Sequence, residues 1–336
     1  MLNEKVFFGT YTRRISEGLY QADLIDGHLE NSKLVAKLGS PTYTTLANND
    51  VIYTVDKVDD QGGVAVVNAI TGKIKQTLLQ PGASPAYLGL DTKRQLLFSG
   101  NYHKGTLDIF KMDQNGMLTL SDHFQNEGSG PRPEQTSSHI HFTNLTPDQK
   151  LVVVDLGTDE VLFFDLSEQG KITSETRFQT EAGFGPRHIR FSPDGKTAYL
   201  LGELSSKLMI LDYQDGKLAV KQTLATIPSE WTEHNGAAAI RVSQDGRFVY
   251  VSNRGNNSVA VFNVAGEEAE LVQLISTEGD FPRDMAFNST EEYLIVANQN
   301  TDNVSVFKRD NQTGELTLSQ KDFMIPEGVR VEFNSK

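Results

Sequence analysis

Apolar and polar residues alternate in short runs along the whole chain, and the runs themselves recur. One pattern appears seven times: Gly or a polar residue, then apolar residues at every second position or nearly so, closing on an aromatic or polar residue. The copies cover 18–24, 63–68, 105–110, 160–165, 207–212, 258–263 and 303–308, at spacings of 42 to 55 residues. Alternation with period two is the signature of a half-buried β-strand. Ahead of each copy lies a run richer in β-branched and aromatic residues, at 5–10, 50–55, 95–100, 151–155, 197–201, 248–252 and 293–297. These runs are nearly continuous in apolar residues, as expected of strands covered on both faces. Repeats two to seven carry a further strand before that one. Its clearest examples end in the turns at Asp194-Gly195 and Asp245-Gly246, where glycine takes a positive φ cheaply. A polar strand follows each copy, for example at 118–121 and 316–319, and reads as an exposed outer edge.

Four strands repeated at this period predict an all-β chain, a seven-bladed β-propeller of four-stranded antiparallel blades forming one domain over 1–336. The first repeat lacks its leading strand, while a spare strand stands at 329–333. We expect that tail to close the ring by pairing beside 6–10, which leaves only short protected edges. A β-solenoid would instead need capping repeats and no complementary ends.

Composition narrows the function classes. The 336 residues contain no cysteine, which excludes disulfides and thiolate chemistry. No run approaches the ~18 apolar residues a membrane helix needs, and the N-terminus enters a strand without a basic or long apolar leader. The expectation is a soluble cytoplasmic protein. Forty-four acids against 31 bases give a net charge of −13, which argues against nucleic acid or an anionic membrane as partner. Arginines or histidines that gather in such a chain make a local exception.

The blade topology says where they gather. The leading strand and the one after it run antiparallel, so the start of one meets the end of the other at the same opening. The starts supply Pro41, Pro85, His139, Arg187 and Arg283; the ends supply Lys57, Tyr102, Gly157, Glu203, Arg254 and Gln299. His139, Arg187, Glu203 and Arg254 are thus expected to share one mouth, with His141, His188, Asn253, Arg283, Tyr102 and Gln299 as candidate substrate contacts. Guanidiniums in an acidic protein form a focused site for a small anion, carboxylate or phosphate. One His and one Glu among them supply acid–base groups. Taken singly, an Arg at a blade end is an ordinary salt-bridge partner and a His an ordinary hydrogen-bonded residue. The case rests on convergence. His139 and His141 alternate on one strand as a metal pair would, but no carboxylate or Cys ligand is evidently supplied, so no metal and no cofactor is assigned. Neither a nucleophile elbow nor a Gly-rich phosphate loop is present.

The stretches Gly9-Thr10-Tyr11-Thr12, Asn101-Tyr102, His139-Ile140-His141, Asp155-Leu156-Gly157-Thr158-Asp159, Gly183-Phe184-Gly185-Pro186-Arg187-His188, Glu203-Leu204, Ser252-Asn253-Arg254-Gly255 and Pro282-Arg283-Asp284 span nearly the whole chain. Together they resemble the lactonase family of seven-bladed propellers, which includes bacterial 6-phosphogluconolactonases and fungal 3-carboxy-cis,cis-muconate lactonizing enzymes. The resemblance implies a site of His139, Arg187, Glu203 and Arg254, with Arg283 competing for the last place. Two positions depart from the family pattern: Ser138 stands where a Pro usually precedes the His, and Ala239 where a Glu usually stands two before Arg241. The implied activity is hydrolysis of a sugar-acid lactone, 6-phosphogluconolactone foremost, with His139 or Glu203 as base and Arg187 and Arg254 holding anionic oxygens. The alternatives are a carboxymuconate-type cycloisomerase and a non-catalytic propeller scaffold.

Overall fold

A computed structural model describes residues 3–47 and 50–333 of the chain. Among them there is no helix, and 28 strands form seven four-stranded sheets whose neighbours are consecutive in sequence. The exception is the first sheet, in which Gly328–Phe333 is followed by Asn3–Thr10, Gly18–Ile25 and His28–Lys37. The spare C-terminal strand therefore pairs where the repeat leaves a gap: Val6 faces Phe333 and Phe8 faces Val331. The strand count and order are those of a seven-bladed β-propeller.

Within each sheet the burial follows the sequence pattern. Leu96–Asn101, Leu151–Asp155 and Tyr293–Asn298, each the second strand of its sheet, are buried at every position. Fourth strands such as Ile172–Gln179 are exposed along most of their length. They also run further than the short polar runs suggest: Leu118–Gln125 and Leu316–Met324 extend well past Ser121 and Ser319. Hydrogen bonding to the third strand carries them through positions whose side chains face water.

The chain forms two compact units. One holds the described residues up to Thr42, Ser206–Leu208, and those from Gln222 onward; the other holds Tyr43–Ser205 and Met209–Lys221. The second, third and fourth sheets and the two leading strands of the fifth belong to the latter. There the core joins residues such as Tyr53, Leu97, Phe142, Val154 and Phe163.

The first, sixth and seventh sheets belong to the former. Phe8, Ala22, Ile295, Val306 and Val331 pack together in it, joining the N-terminal, C-terminal and seventh-sheet strands. Glu327, just ahead of the closing strand, is buried and reaches back to the N-terminal segment. Its Oε1 accepts the Arg13 backbone N–H at 3.0 Å, and its Oε2 accepts those of Arg14, Ile15 and Ser16 at 3.0, 3.0 and 3.1 Å. Burial alone would raise the pKa of this carboxyl, but the backbone N–H groups outweigh burial and hold it below the ordinary value. Its stabilising contribution is therefore present above the unfolded-state pKa and lost as pH falls through the folded one. Glu327→Gln is expected to cost about 1–3 kcal/mol at neutral pH. In urea unfolding, that difference should vanish on acidification, whereas a difference constant with pH would refute the role.

Candidate active site

The leading strands of five sheets share a local irregularity that decides which side chains are presented. In the fourth sheet the register slips between Ile140 and Phe142, in the fifth between Pro186 and His188, and in the seventh between Pro282 and Asp284. Each slip is a β-bulge whose extra residue, His141, Arg187 or Arg283, opposes no partner of its own. A bulge breaks the alternation and re-aims a side chain. The register counterpart of Arg187 is thus His141, whereas His139 lies before the strand. The expected shared face for His139 and His141 gives way to this bulge. Tyr102, Glu203 and Gln299 in turn share a second position, one residue past the end of their sheets' second strands, while Arg254 is the last residue of Phe248–Arg254.

In the unit of Tyr43–Ser205, six of the candidate residues form one connected series. The His139 imidazole stacks on the Tyr102 ring at 4.3 Å with the planes 8° apart. His141 meets the same ring edge-on at 5.6 Å and lies 5.2 Å from His188. Arg187 Nη1 is 3.2 Å from His188 Nε2, and Arg187 Nε is 2.8 Å from Glu203. The three imidazoles and Arg187 are buried, whereas the Glu203 side chain keeps 19% exposure. The ion pair of Arg187 and Glu203 therefore reaches solvent through its carboxylate end.

The placement of His139 has a visible cause. Asp155, at the end of the strand opposite, accepts the His139 backbone N–H at 2.6 Å and the Gly157 N–H at 2.9 Å through Oδ1. Its Oδ2 accepts from Asn126 Nδ2 at 2.8 Å and from the Ser138 hydroxyl. Ser138 thus braces the residue that a proline would stiffen in the family pattern. Asp159 is similarly committed, accepting from Gln135 Nε2 and from the backbone N–H groups of Gly183 and Gly185, which shapes the loop leading to Arg187. Among the described residues no group of three or more His, Cys, Asp or Glu is arranged to hold a metal ion.

His139 Nδ1 lies 2.8 Å from the Tyr102 carbonyl oxygen. A carbonyl only accepts, so Nδ1 carries the proton, and in the neutral imidazole the lone pair falls on Nε2.

The remaining candidates lie in the unit that carries the sixth and seventh sheets. Arg254 is buried, donates from Nε to the Gly236 carbonyl at 3.1 Å, and lies 5.2 Å from the Phe281 ring. Asn253 is fully buried with its amide occupied: Nδ2 donates to the Thr226 carbonyl at 2.8 Å and Oδ1 accepts the Thr226 hydroxyl at 2.8 Å. It braces a turn rather than facing a ligand. Arg283 stands 5.5 Å from the centre of the Tyr11 ring. Gln299 borders a cavity with Tyr11, Arg13 and Arg14. The sequence pattern did not single out Arg13, whose backbone N–H is held by Glu327 from the far end of the chain.

The profile described as "Lactonase, 7-bladed beta-propeller" matches residues 5–333. A 6-phosphogluconolactonase of Bacillus subtilis is 38% identical over 340 residues, covering 97% of each chain. An uncharacterised Lactococcus lactis protein is 44% identical over 334 residues, covering 97% of this chain and 98% of its own. Among solved structures, a Lactobacillus plantarum protein is 48% identical with a TM-score of 0.98, over 99% of this chain and 100% of that one. The periplasmic gluconolactonase of Pseudomonas aeruginosa is 30% identical with a TM-score of 0.91, over 99% of both chains.

Proposed function

The chain belongs to the lactonase family of seven-bladed β-propellers, and on that premise we propose that it hydrolyses a sugar-acid lactone, 6-phosphogluconolactone foremost. The observation that carries the reading is the orientation of His139. With Nδ1 held on the Tyr102 carbonyl, Nε2 is the basic atom. It removes a proton from water as the water oxygen attacks the lactone carbonyl carbon. The carbonyl oxygen then becomes an alkoxide, and Arg187 supplies the fixed positive charge that stabilises it. Collapse of the tetrahedral species breaks the ring ester C–O bond, and the proton held by His139 passes to the departing ring oxygen. The product is the open-chain acid.

Glu203 is the weaker candidate for base. Its carboxylate is paired with Arg187, so taking up a proton would weaken that pair. We assign it to orienting the guanidinium. A cytoplasmic location belongs to the same proposal, supported by the impermeability of membranes to a phosphorylated sugar acid.

Asp155 is a positioning residue in this scheme. Asp155→Asn keeps the shape but turns part of an acceptor set toward N–H groups as a donor. We expect kcat to fall at least about tenfold with KM little changed, since His139 is displaced rather than substrate binding lost. Equal losses in thermal stability and kcat/KM, with the pH profile unmoved, would mark Asp155 as structural only.

Two other substrates compete. The gluconolactonase relative favours an unphosphorylated lactone, and the same acid–base and cationic groups suit a carboxymuconate cycloisomerase, since lactone opening and closing share their chemistry. Turnover of 6-phosphogluconolactone, gluconolactone and 3-carboxy-cis,cis-muconate measured side by side separates them. The proposal expects the highest kcat/KM for the first; preference for either of the others would replace it.

A further inference from the structure

The second and third sheets pack tightly along part of their facing surfaces and part along the rest. Leu97, Phe110 and Leu118 of the third sheet join Val64 and Val66 of the second in one core. Alternation puts Ser99, Thr106 and Asp108 on that same face, further along the strands. There the sheets enclose a cavity of about 320 Å³, within the range of about 300–1,000 Å³ common to small-molecule sites. Its polar lining includes Ser99, Lys104, Thr106 and Asp108, and its apolar lining includes Val64, Leu78, Phe110 and Leu118.

The polar lining is not a requirement of the fold. Counted from the pair that closes the hairpin, Asn101 with Thr106, the pair two steps in is Ser99 with Asp108. The same step holds Val153 with Leu162 in the fourth sheet and Val251 with Ala260 in the sixth, all fully buried. Ser99 and Thr106 are 2% and 8% exposed, yet among the described residues neither hydroxyl has a hydrogen-bond partner. Buried hydroxyls are nearly always bonded, so two of them on one cavity call for a bonded occupant. Asp108 Oδ1 is held by His123 Nδ1 at 2.6 Å, while its Oδ2 has no partner among the described residues. Lys104 enters from the loop after Asn101, and the missing Cβ of Gly82 leaves room for its stem. Among the described residues no carboxylate pairs with its ammonium group.

We propose that this cavity binds an apolar α-amino acid. The ligand ammonium has three donors and meets three acceptors, Asp108 Oδ2 and the hydroxyls of Ser99 and Thr106. Its carboxylate pairs with Lys104, and its side chain lies against Val64, Leu78, Phe110 and Leu118. Both signs of charge beside apolar surface fit a zwitterion. A simple amine would leave Lys104 unpaired, and a simple acid would face Asp108. The site shares no residue with the series around His139 and Arg187, and does not depend on lactone hydrolysis.

Isothermal titration of the full chain with L-leucine, isopentylamine and isocaproate tests it. The last two are leucine without its carboxylate and leucine without its ammonium group. Wild type is expected to bind leucine at least about tenfold more tightly than either. Lys104→Ala should weaken leucine by about tenfold or more and leave isopentylamine unchanged. Ser99→Val/Asp108→Leu installs the pair that the fourth sheet already buries, so it should fold, as circular dichroism would check, and give no heat with leucine. Were it not to fold, the Lys104→Ala titrations decide alone. The site is overturned by a wild type that takes up no leucine at millimolar concentration or binds isopentylamine as tightly. Leucine binding unchanged in Lys104→Ala or in the folded double variant overturns it as well. No turnover is read, so failure of the lactonase proposal would leave these outcomes unchanged.

Discussion

Arg187→Ala is expected to lower kcat for lactone opening by about 10²–10³-fold, the loss typical of removing one oxyanion-stabilising donor. The side chain is 3% exposed and fixed from two directions, by Glu203 at 2.8 Å and by His188 at 3.2 Å. Its charge is therefore oriented before substrate arrives, and no reorganisation is needed as the alkoxide forms. The fold should survive, because the Glu203 side chain keeps 19% exposure and water can solvate the carboxylate when its partner goes. Arg187→Lys retains the charge but not the planar fork, and should fall between the two. Steady-state kinetics corrected for spontaneous hydrolysis, beside a circular-dichroism melt, would check this. Wild-type kcat in Arg187→Ala would remove Arg187 from the mechanism.

Asp284→Ala should be the most destabilising of the single changes considered, at about 3–5 kcal/mol, because it removes a buried carboxylate that two arginines share. Asp284 accepts from Arg241 Nη2 at 2.9 Å, Arg330 Nη1 at 2.9 Å and the Val331 backbone N–H at 3.0 Å. One carboxylate thereby ties the leading strands of the sixth, seventh and first sheets, the last being the closing strand itself. Burial opposes its ionisation, but Arg241 and Arg330 outweigh burial and hold the pKa below the ordinary range. A depressed carboxylate pKa contributes stability above the unfolded-state value of about 3.9 and loses it as pH falls through the folded value. The difference between wild type and Asp284→Ala in urea unfolding should then be flat near neutrality and collapse only in strong acid. Arg241, which stands two residues after Ala239 where the family pattern has a Glu, has this ion pair as its structural task.

Much of this architecture can be read from residues alone, and the boundary is physical. The strands are legible because covered strands need apolar residues on both faces and edge strands need them on one. The closing pair is legible because a missing strand at one end matches a spare strand at the other. The bulges at His141, Arg187 and Arg283 are not, since one extra residue leaves the local alternation readable either way. That ambiguity aligned His139 with Arg187, whereas the register aligns His141 with it. Asp155 is recognisable as a strand-end Asp, but its grip on the His139 N–H needs the paired strand to be known. The Glu327 cradle depends on contacts between opposite ends of the chain, which no local pattern encodes.

The account turns on His139 acting as a base through Nε2 in a lactone hydrolase. The direct measurement is the rate of 6-phosphogluconolactone opening by wild-type protein and His139→Gln, each with the spontaneous rate in the same buffer subtracted. The account predicts clear acceleration by wild type and a loss of about 10²–10⁴-fold in the variant, the usual range for a positioned general base. A wild-type rate equal to buffer, or a variant as fast as wild type, would contradict it.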